Sequence, residues 1–374
     1  MAQALMQAVE EDPVDWLRLI RSRRIGPVTF HRLVVEHGSA AEALRALPEI
    51  AAAAGVAGYE ICPLGVVLAE MKQARAAGAV LLRWGQAGYP QAMMDVVDAP
   101  PVLWAQGDVG LLARPMVALV GARSASSLGL RMARRLGESL GAAGFVVVSG
   151  LARGIDAEAH GAALDSGTVA VQAGGVDHIY PVENTKLAAA ILEQGCRVSE
   201  QPMGMEPQAR HFPMRNRIIS GLARAVVVVE AAAKSGSLIT AETALDQGRE
   251  VFAVPGHPFD ARAAGCNRLI RDGATLVRGA SDILEALGQV VDKKGVTRAQ
   301  VEAEPKAAGD KARFRDITAL HNQILARLGP SPVAEDQLIR DLGVAASVVA
   351  PELVMLELEG LILRQSGGLL SRLN

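Results

Sequence analysis

The sequence predicts an α/β protein built on an extended Rossmann-like, doubly wound parallel sheet, with a small helical domain before it and a winged-helix domain after it. Three observations lead there. Short β-branched runs recur between about residues 79 and 288, at Val117–Val120, Phe145–Val148, Val169–Gln172, Ala225–Glu230 and Val251–Val254. Helix-compatible stretches separate them, at Leu128–Ala142, Ala157–Leu164, Thr185–Gln194 and Leu238–Gln247. The apolar runs do not alternate with polar residues, as expected of parallel strands covered on both faces.

A length of 374 residues exceeds one ordinary core. Residues 1–78 form the first unit: Trp16, Leu17, Leu19 and Ile20 lead to Ile25-Gly26-Pro27, and apolar runs at Val28–Val35, Ala41–Leu47 and Leu64–Ala76 follow. The Gly-Pro turn suits a SAM-like or helix-hairpin-helix-like module, whose helix N-termini can meet phosphate. A plain packing unit is the simpler reading, because Gly-containing turns are common connectors. The sheet domain spans 79–288. Residues 289–315 read as a linker, mixing charges such as Asp292, Lys293, Lys294 and Glu304 among Ala and Gly. Residues 316–374 hold three helical stretches, at Ile317–Leu328, Glu335–Leu342 and Ala345–Glu359, then a hairpin divided by Gly367-Gly368. That is the winged-helix order.

Composition narrows function. Aromatics make up 3% of the chain and the net charge is −2. Few rings are available to stack on bases, which weighs against an oligonucleotide-binding barrel or an RNA-recognition sheet, and any contact with nucleic acid must come from a local concentration of Arg and Lys. Cys62, Cys196 and Cys266 form no CxxC pair and fit buried thiols in a reducing compartment. The scattered cysteines make a metal site improbable, no cofactor is expected, and the apolar stretches are strand-length, so no segment reads as membrane-spanning.

In a doubly wound sheet ligands sit outside the C-terminal strand ends, and the special residues gather there. After the first of these strands comes Gly121-Ala122-Arg123-Ser124-Ala125-Ser126-Ser127, where Ser126 or Ser127 can cap a helix whose free amides would attract an anion. The second strand is followed by Ser149-Gly150-Leu151-Ala152-Arg153-Gly154, and the third by Gly174-Gly175-Val176-Asp177 and Tyr180-Pro181. The densest cluster is Arg210-His211-Phe212-Pro213-Met214-Arg215-Asn216-Arg217, an aromatic among arginines and thus a minimal kit for holding a phosphate chain and a base. Lys234-Ser235-Gly236-Ser237 opens the helix after the fifth strand. None of these is a dinucleotide fingerprint or a Walker A loop. Asp156 and His160 lie one helical turn apart, but two ligands without a third more often make a cap and a core histidine.

Taken in order, GARSASSLG at 121–129, SGLARGIDAEAH at 149–160, GGVDHIYPVEN at 174–184, FPMRNRIISGL at 212–222, KSGSLITAE at 234–242 and GCNRLI at 265–270 resemble the DprA/Smf family. The match covers the whole α/β region; His211 and Met214 fall at variable positions, and the proline pair after Ser-Glu is reduced to Pro202. The resemblance implies a cytoplasmic, non-enzymatic protein that binds and protects incoming single-stranded DNA. It also implies a homodimer that helps load the RecA recombinase during natural transformation. By motif position the DNA contacts fall on Arg123, Gly150, Gly174, Phe212, Arg215, Asn216, Arg217 and Lys234, with Gly121, Arg153, Gly175, Ser235, Gly236 and Ser237 completing the loops.

Two rivals stand beside this. A nucleotide-hydrolysing, lysine-decarboxylase-like enzyme would use the Ser235-to-Glu242 region, yet no partnered nucleophile and base is evident. A winged-helix transcription factor would read DNA with its third helix, which carries Glu352, Glu357 and Glu359 and no Lys or Arg. Carboxylates facing phosphates cost Coulomb energy, so this domain is expected to contact protein instead.

Overall fold

The computed structural model describes residues 12–288, 317–365 and 368–373; the expected linker lies outside them. Four helices open the chain: α1 (Pro13–Arg21), α2 (Pro27–His37), α3 (Ala40–Ala53) and α4 (Leu64–Ala76). Asp12 and Ser39 accept amide hydrogens at the starts of α1 and α3, and Pro27 opens α2 behind Gly26. Trp16, Leu17, Phe30, Leu33, Leu44 and Val67 share one core, and it continues into Val102, Trp104, Val176 and Met203 of the sheet domain. The two units are therefore packed as one body at this edge. Polar ties reinforce the seam: Arg21 donates to both Glu70 oxygens and to the Glu200 carbonyl, and the Trp104 indole donates to Glu70 at 2.7 Å.

The central sheet runs through β1 (Val80–Arg83), β2 (Val102–Gly107), β3 (Met116–Gly121), α5 (Ser127–Ala142), β4 (Val146–Ser149), α6 (Ile155–Ala162), β5 (Thr168–Val171), α7 (Thr185–Gln194) and β6 (Cys196–Ser199). It continues through α8 (His211–Leu222), β7 (Ala225–Glu230), α9 (Gly236–Asp246), β8 (Glu250–Ala253), α10 (Ala264–Arg271), β9 (Thr275–Leu276) and α11 (Ala280–Ala286). The spatial order is β1-β2-β6-β5-β4-β3-β7-β8-β9. Strands β3 to β9 are parallel, as expected of a doubly wound sheet. Val146 and Val148 enter one core while Val147 and Phe145 enter the other, so both faces are covered and the strand reads as an unbroken apolar run.

Strands β1, β2, β6 and β9 fall outside the five apolar runs. Strands β1 and β2 extend the sheet antiparallel beyond β6. No crossover helix lies between them, only a loop with a short 3-10 turn at Gln91–Met93, and a parallel pairing would need such a crossover.

Strand order reverses between β3, from which the chain winds out through β4 to β6, and β7, from which it winds out the other way. This is the switch point where a doubly wound sheet opens a crevice. The last domain comprises α12 (Ile317–Arg327), β10 (Val333–Ala334), α13 (Glu335–Leu342), α14 (Ala346–Leu358), β11 (Ile362–Gln365) and β12 (Leu369–Arg372), with sheet order β10-β12-β11. Leu320, Ile324, Leu338, Val349, Leu353 and Leu370 fill its core. Arg262 of the sheet domain donates to the Leu328 carbonyl at 2.8 Å, capping the end of α12. Among the described residues no helix is long and apolar enough to cross a membrane.

Candidate nucleic-acid interface

At the switch point β3 and β7 are stitched together. Ala122 donates its amide to the Glu230 carbonyl at 2.7 Å, and a Cβ on Gly121 would meet Ile155 at 2.7 Å and that same carbonyl at 2.9 Å. Gly121 is thus a close-packing residue as well as part of the rim. The crevice then divides. On one side Glu230 caps α5: its Oε1 accepts the Ser126 amide at 2.9 Å, and the Ser126 hydroxyl donates to its other oxygen. Ser126 in turn accepts the Gly129 amide at 3.0 Å. The expectation of free amides at this helix start is therefore corrected. The chain's own carboxylate fills the anion position, and burial raises its pKa.

The other side is open. Loops from β3 and β4 and the starts of α8 and α9 enclose a cleft of about 240 Å³ lined by Arg123, Phe212, Arg215, Asn216, Ser235 and Ser237, among others. Gly236 also lines it. Arg123 is exposed and its guanidinium lies 5.1 Å from the Phe212 ring centroid, a cation–π contact at the cleft mouth. Among the described residues Arg123 makes no ion pair, which leaves its donors for a ligand. Asn216 donates to the Gly236 carbonyl at 3.4 Å, tying α8 to α9. Ser235 caps α9, and its hydroxyl lies 2.7 Å from that of Ser237. Lys234 is exposed just before this cap.

Arg215 makes the floor. It is buried, and its Nη1 donates to the Val171 carbonyl at 2.7 Å. Burial lowers its pKa to about 10, so it stays charged at neutral pH. A Cβ on Gly150 would lie 1.8 Å from that Nη1, so Gly150 is glycine because the arginine passes over it. Beside it Asp156 accepts the amides of Gly150 at 3.1 Å and Ala152 at 3.4 Å, shaping the loop after β4. His160 accepts the Leu151 amide through Nε2 and lies 2.7 Å from the Thr168 hydroxyl through Nδ1. Both residues serve as loop staples, and burial holds His160 neutral with a pKa near 3.

Three assigned residues stand elsewhere. Arg217 faces the back of α8, where its Nε meets Asp98 at 3.3 Å and its Nη2 pairs with Glu200. Arg217 directly follows Asn216 and lies two positions after Arg215, and on a helix that turns it to another face. Its charge is already neutralised at the seam with the N-terminal helices. Gly174 and Gly175 are buried under the segment 202–207: the Gly175 amide donates to the Met205 carbonyl at 2.8 Å, and a Cβ on Gly174 would meet that carbonyl at 2.6 Å. Their glycines admit a neighbouring loop, not a ligand. Arg153 remains at the rim, exposed and loosely paired with Glu183 at 3.6 Å.

Family models match almost the whole chain. Residues 80–288 match the model described as DNA recombination-mediator protein A. The chain belongs to the DprA/Smf family. Residues 10–73 match a DprA-like N-terminal HHH domain and 302–368 a DprA winged helix domain. The helix-hairpin-helix class, which the turn at Gly26-Pro27 alone made the second choice, is thus the one the family model carries. The DNA processing protein DprA of Bacillus subtilis is 46% identical over 202 residues, covering 53% of this chain and 68% of that protein. Protein Smf of Escherichia coli is 39% identical over 283 residues, covering 75% and 74%. The solved DprA of Streptococcus pneumoniae superposes with a TM-score of 0.57 at 32% identity, covering 76% of this chain and 93% of that one. That of Helicobacter pylori, described for its unique single-stranded DNA binding mode, gives 0.52 at 29% identity over 56% and 95%.

Proposed function

We infer that this DprA/Smf protein holds single-stranded DNA along the open half of the switch-point crevice. It acts by binding and protecting the strand, without a catalytic step. The observation that carries this reading is the exposed Arg123 guanidinium stacked on Phe212 at the mouth of the cleft. That one pairing offers a phosphate a fixed charge and a base a ring face. Arg153 lines the recess that shares Arg123 and Phe212 with this cleft, the exposed Lys234 directly precedes the capped start of α9, and the H. pylori relative gives the reading its ligand class. Duplex DNA binds less well, since a loop-lined cleft presents no element to a groove.

The rival of a nucleotide-hydrolysing enzyme loses support at Glu230. The N-terminus of α5, where a Rossmann-like sheet usually cradles a nucleotide phosphate after its first parallel strand, is occupied by this carboxylate, and the Ser235-to-Glu242 region at α9 is left as the one part of that rival it does not touch. We extend the reading to a cytoplasmic homodimer that passes the strand to the RecA recombinase in natural transformation, with family membership as the support for each of these. The winged-helix domain contacts protein: α14 carries no basic residue, and its Glu352 and Glu357 pair with His321 and Arg364.

The test is fluorescence anisotropy of a short unpaired oligonucleotide across a salt series, wild type against Arg123→Ala. Log affinity falls by about 0.7 per phosphate contact for each tenfold rise in salt. Three exposed cations, Arg123, Arg153 and Lys234, give a slope of about −2 per protomer, and the variant loses about one contact. Equal slopes and equal affinities would refute the reading.

A further inference from the structure

The geometry points to a second nucleobase subsite on Tyr180, on the far side of Phe212 from the main cleft; it deepens the single-stranded DNA reading and rests on it. Tyr180 is 48% exposed, in a chain whose aromatic content is 3%. Its ring centroid lies 5.8 Å from that of Phe212 with the planes inclined at 56°. That spacing is within the range of directly touching rings, about 4.5–7 Å, so no base enters between them. The pair acts as a partition. Phe212 lines the main cleft as well as a smaller recess bounded by Arg123, Gly150, Arg153, Tyr180 and Pro181, whereas Tyr180 lines the recess alone.

Charge follows the same division. Arg123 lines both recesses, and Arg153 lines only the one beside Tyr180. Its ion pair with Glu183 is long, at 3.6 Å, and both side chains are more than half exposed, so it yields readily to a phosphate. A strand crossing the rim would place one base on the cleft side of Phe212, its phosphate at Arg123, and the next base on the free face of Tyr180 near Arg153. Two consecutive nucleotides then bracket the ring pair. Because every base has a π face, the subsite takes any base, and recognition is by stacking rather than by sequence.

The experiment uses the full chain and two probes of equal length: an oligo-dT strand and an all-abasic deoxyribose-phosphate strand. For Tyr180→Ala, affinity for oligo-dT falls about five- to hundredfold, the range for losing one stacked base, while affinity for the abasic strand is unchanged. Tyr180→Phe restores wild-type binding. Tyr180→Leu, which keeps bulk against Phe212 without a flat ring, stays weak. Arg123→Ala weakens both probes, and this reports on the parent reading separately. If Tyr180→Leu or Tyr180→Ala binds oligo-dT as wild type does while Arg123→Ala still fails, the subsite is wrong and the cleft stands. If Arg123→Ala binds both probes normally, the parent reading falls with it.

Discussion

Arg123 and Arg217 are both assigned to the DNA surface by their motifs, yet their surroundings predict opposite phenotypes. Arg217 and Glu200 have side-chain exposures of 9% and 11%, so this is a buried ion pair. Removing one member of such a pair leaves an uncompensated charge and costs about 3–5 kcal/mol. The second arm, to Asp98 with 42% exposure, adds little because water screens it. Taking about 3 kcal/mol, the midpoint of thermal unfolding of Arg217→Ala falls by roughly 6–12 °C. Its deficit depends on pH with a definite sign. Burial already holds the Glu200 carboxyl above its ordinary pKa, opposed by Arg217, and without that arginine it rises further. A carboxyl that binds protons more readily folded than unfolded favours folding at low pH, and that advantage is lost as pH rises through the folded pKa. The stability gap between Arg217→Ala and wild type is therefore smaller at pH 5 than at pH 8. Oligonucleotide affinity, measured well below the unfolding transition, changes less than threefold. Arg123→Ala shows the reverse pattern, with an unaltered midpoint and about tenfold weaker binding, the scale of one charge-assisted contact. An Arg217→Ala protein of wild-type stability that binds DNA as weakly as Arg123→Ala would refute the assignment.

Gly150→Ala drives a methyl into the Arg215 guanidinium; displacing that buried group from the Val171 carbonyl costs roughly 2–3 kcal/mol and lowers oligonucleotide affinity, readable by urea unfolding and anisotropy on one sample. His160, neutral in the fold with a pKa near 3, must take a proton on unfolding below its ordinary value of 6.5, so stability is intact above that value and declines beneath it. The loss is about 2 kcal/mol by pH 5, and a His160→Gln variant, though weaker throughout, shows a flatter urea-midpoint profile between pH 7 and pH 5. Deleting residues 316–374 leaves affinity for unpaired DNA within about threefold of wild type, since no cation of the rim lies in that segment.

How far the sequence was legible depended on the range of the interaction that fixes each feature. Strands β3, β4, β5, β7 and β8 announced themselves because burial on both faces leaves no room for polar alternation. Strands β1 and β2 stayed hidden because β2 (Val102–Gly107) lies against the N-terminal helices through Val102 and Trp104, a context no local pattern records. In the site, glycine was read correctly as close approach, yet the partner could not be named. At Gly150 it is an arginine from α8, and at Gly174 it is the carbonyl of Met205. Tyr180 lay in plain view within its motif, but its role depends on a ring contact across thirty-two residues of chain, to Phe212.

Glu230 carries the largest consequence. A Rossmann-like sheet offers one crevice at its switch point, and the helix after the first parallel strand usually makes that crevice an anion site. Here the last residue of β7 reaches across and supplies the anion itself, while Gly129 leaves room for it: a Cβ there would lie 2.5 Å from Oε2. With that helix start already holding a carboxylate, Arg123, Arg153 and Lys234 remain on exposed loops around the other half. A deep, dry pocket suits a small nucleotide; a shallow rim with separated cations suits a polymer whose charges repeat. A strand can occupy Arg123, Arg153 and Lys234 one phosphate after another, whereas a single nucleotide engages only one or two of them. Affinity must then grow with oligonucleotide length until the three cations are filled and level off beyond that, and mononucleotides must compete poorly at any position.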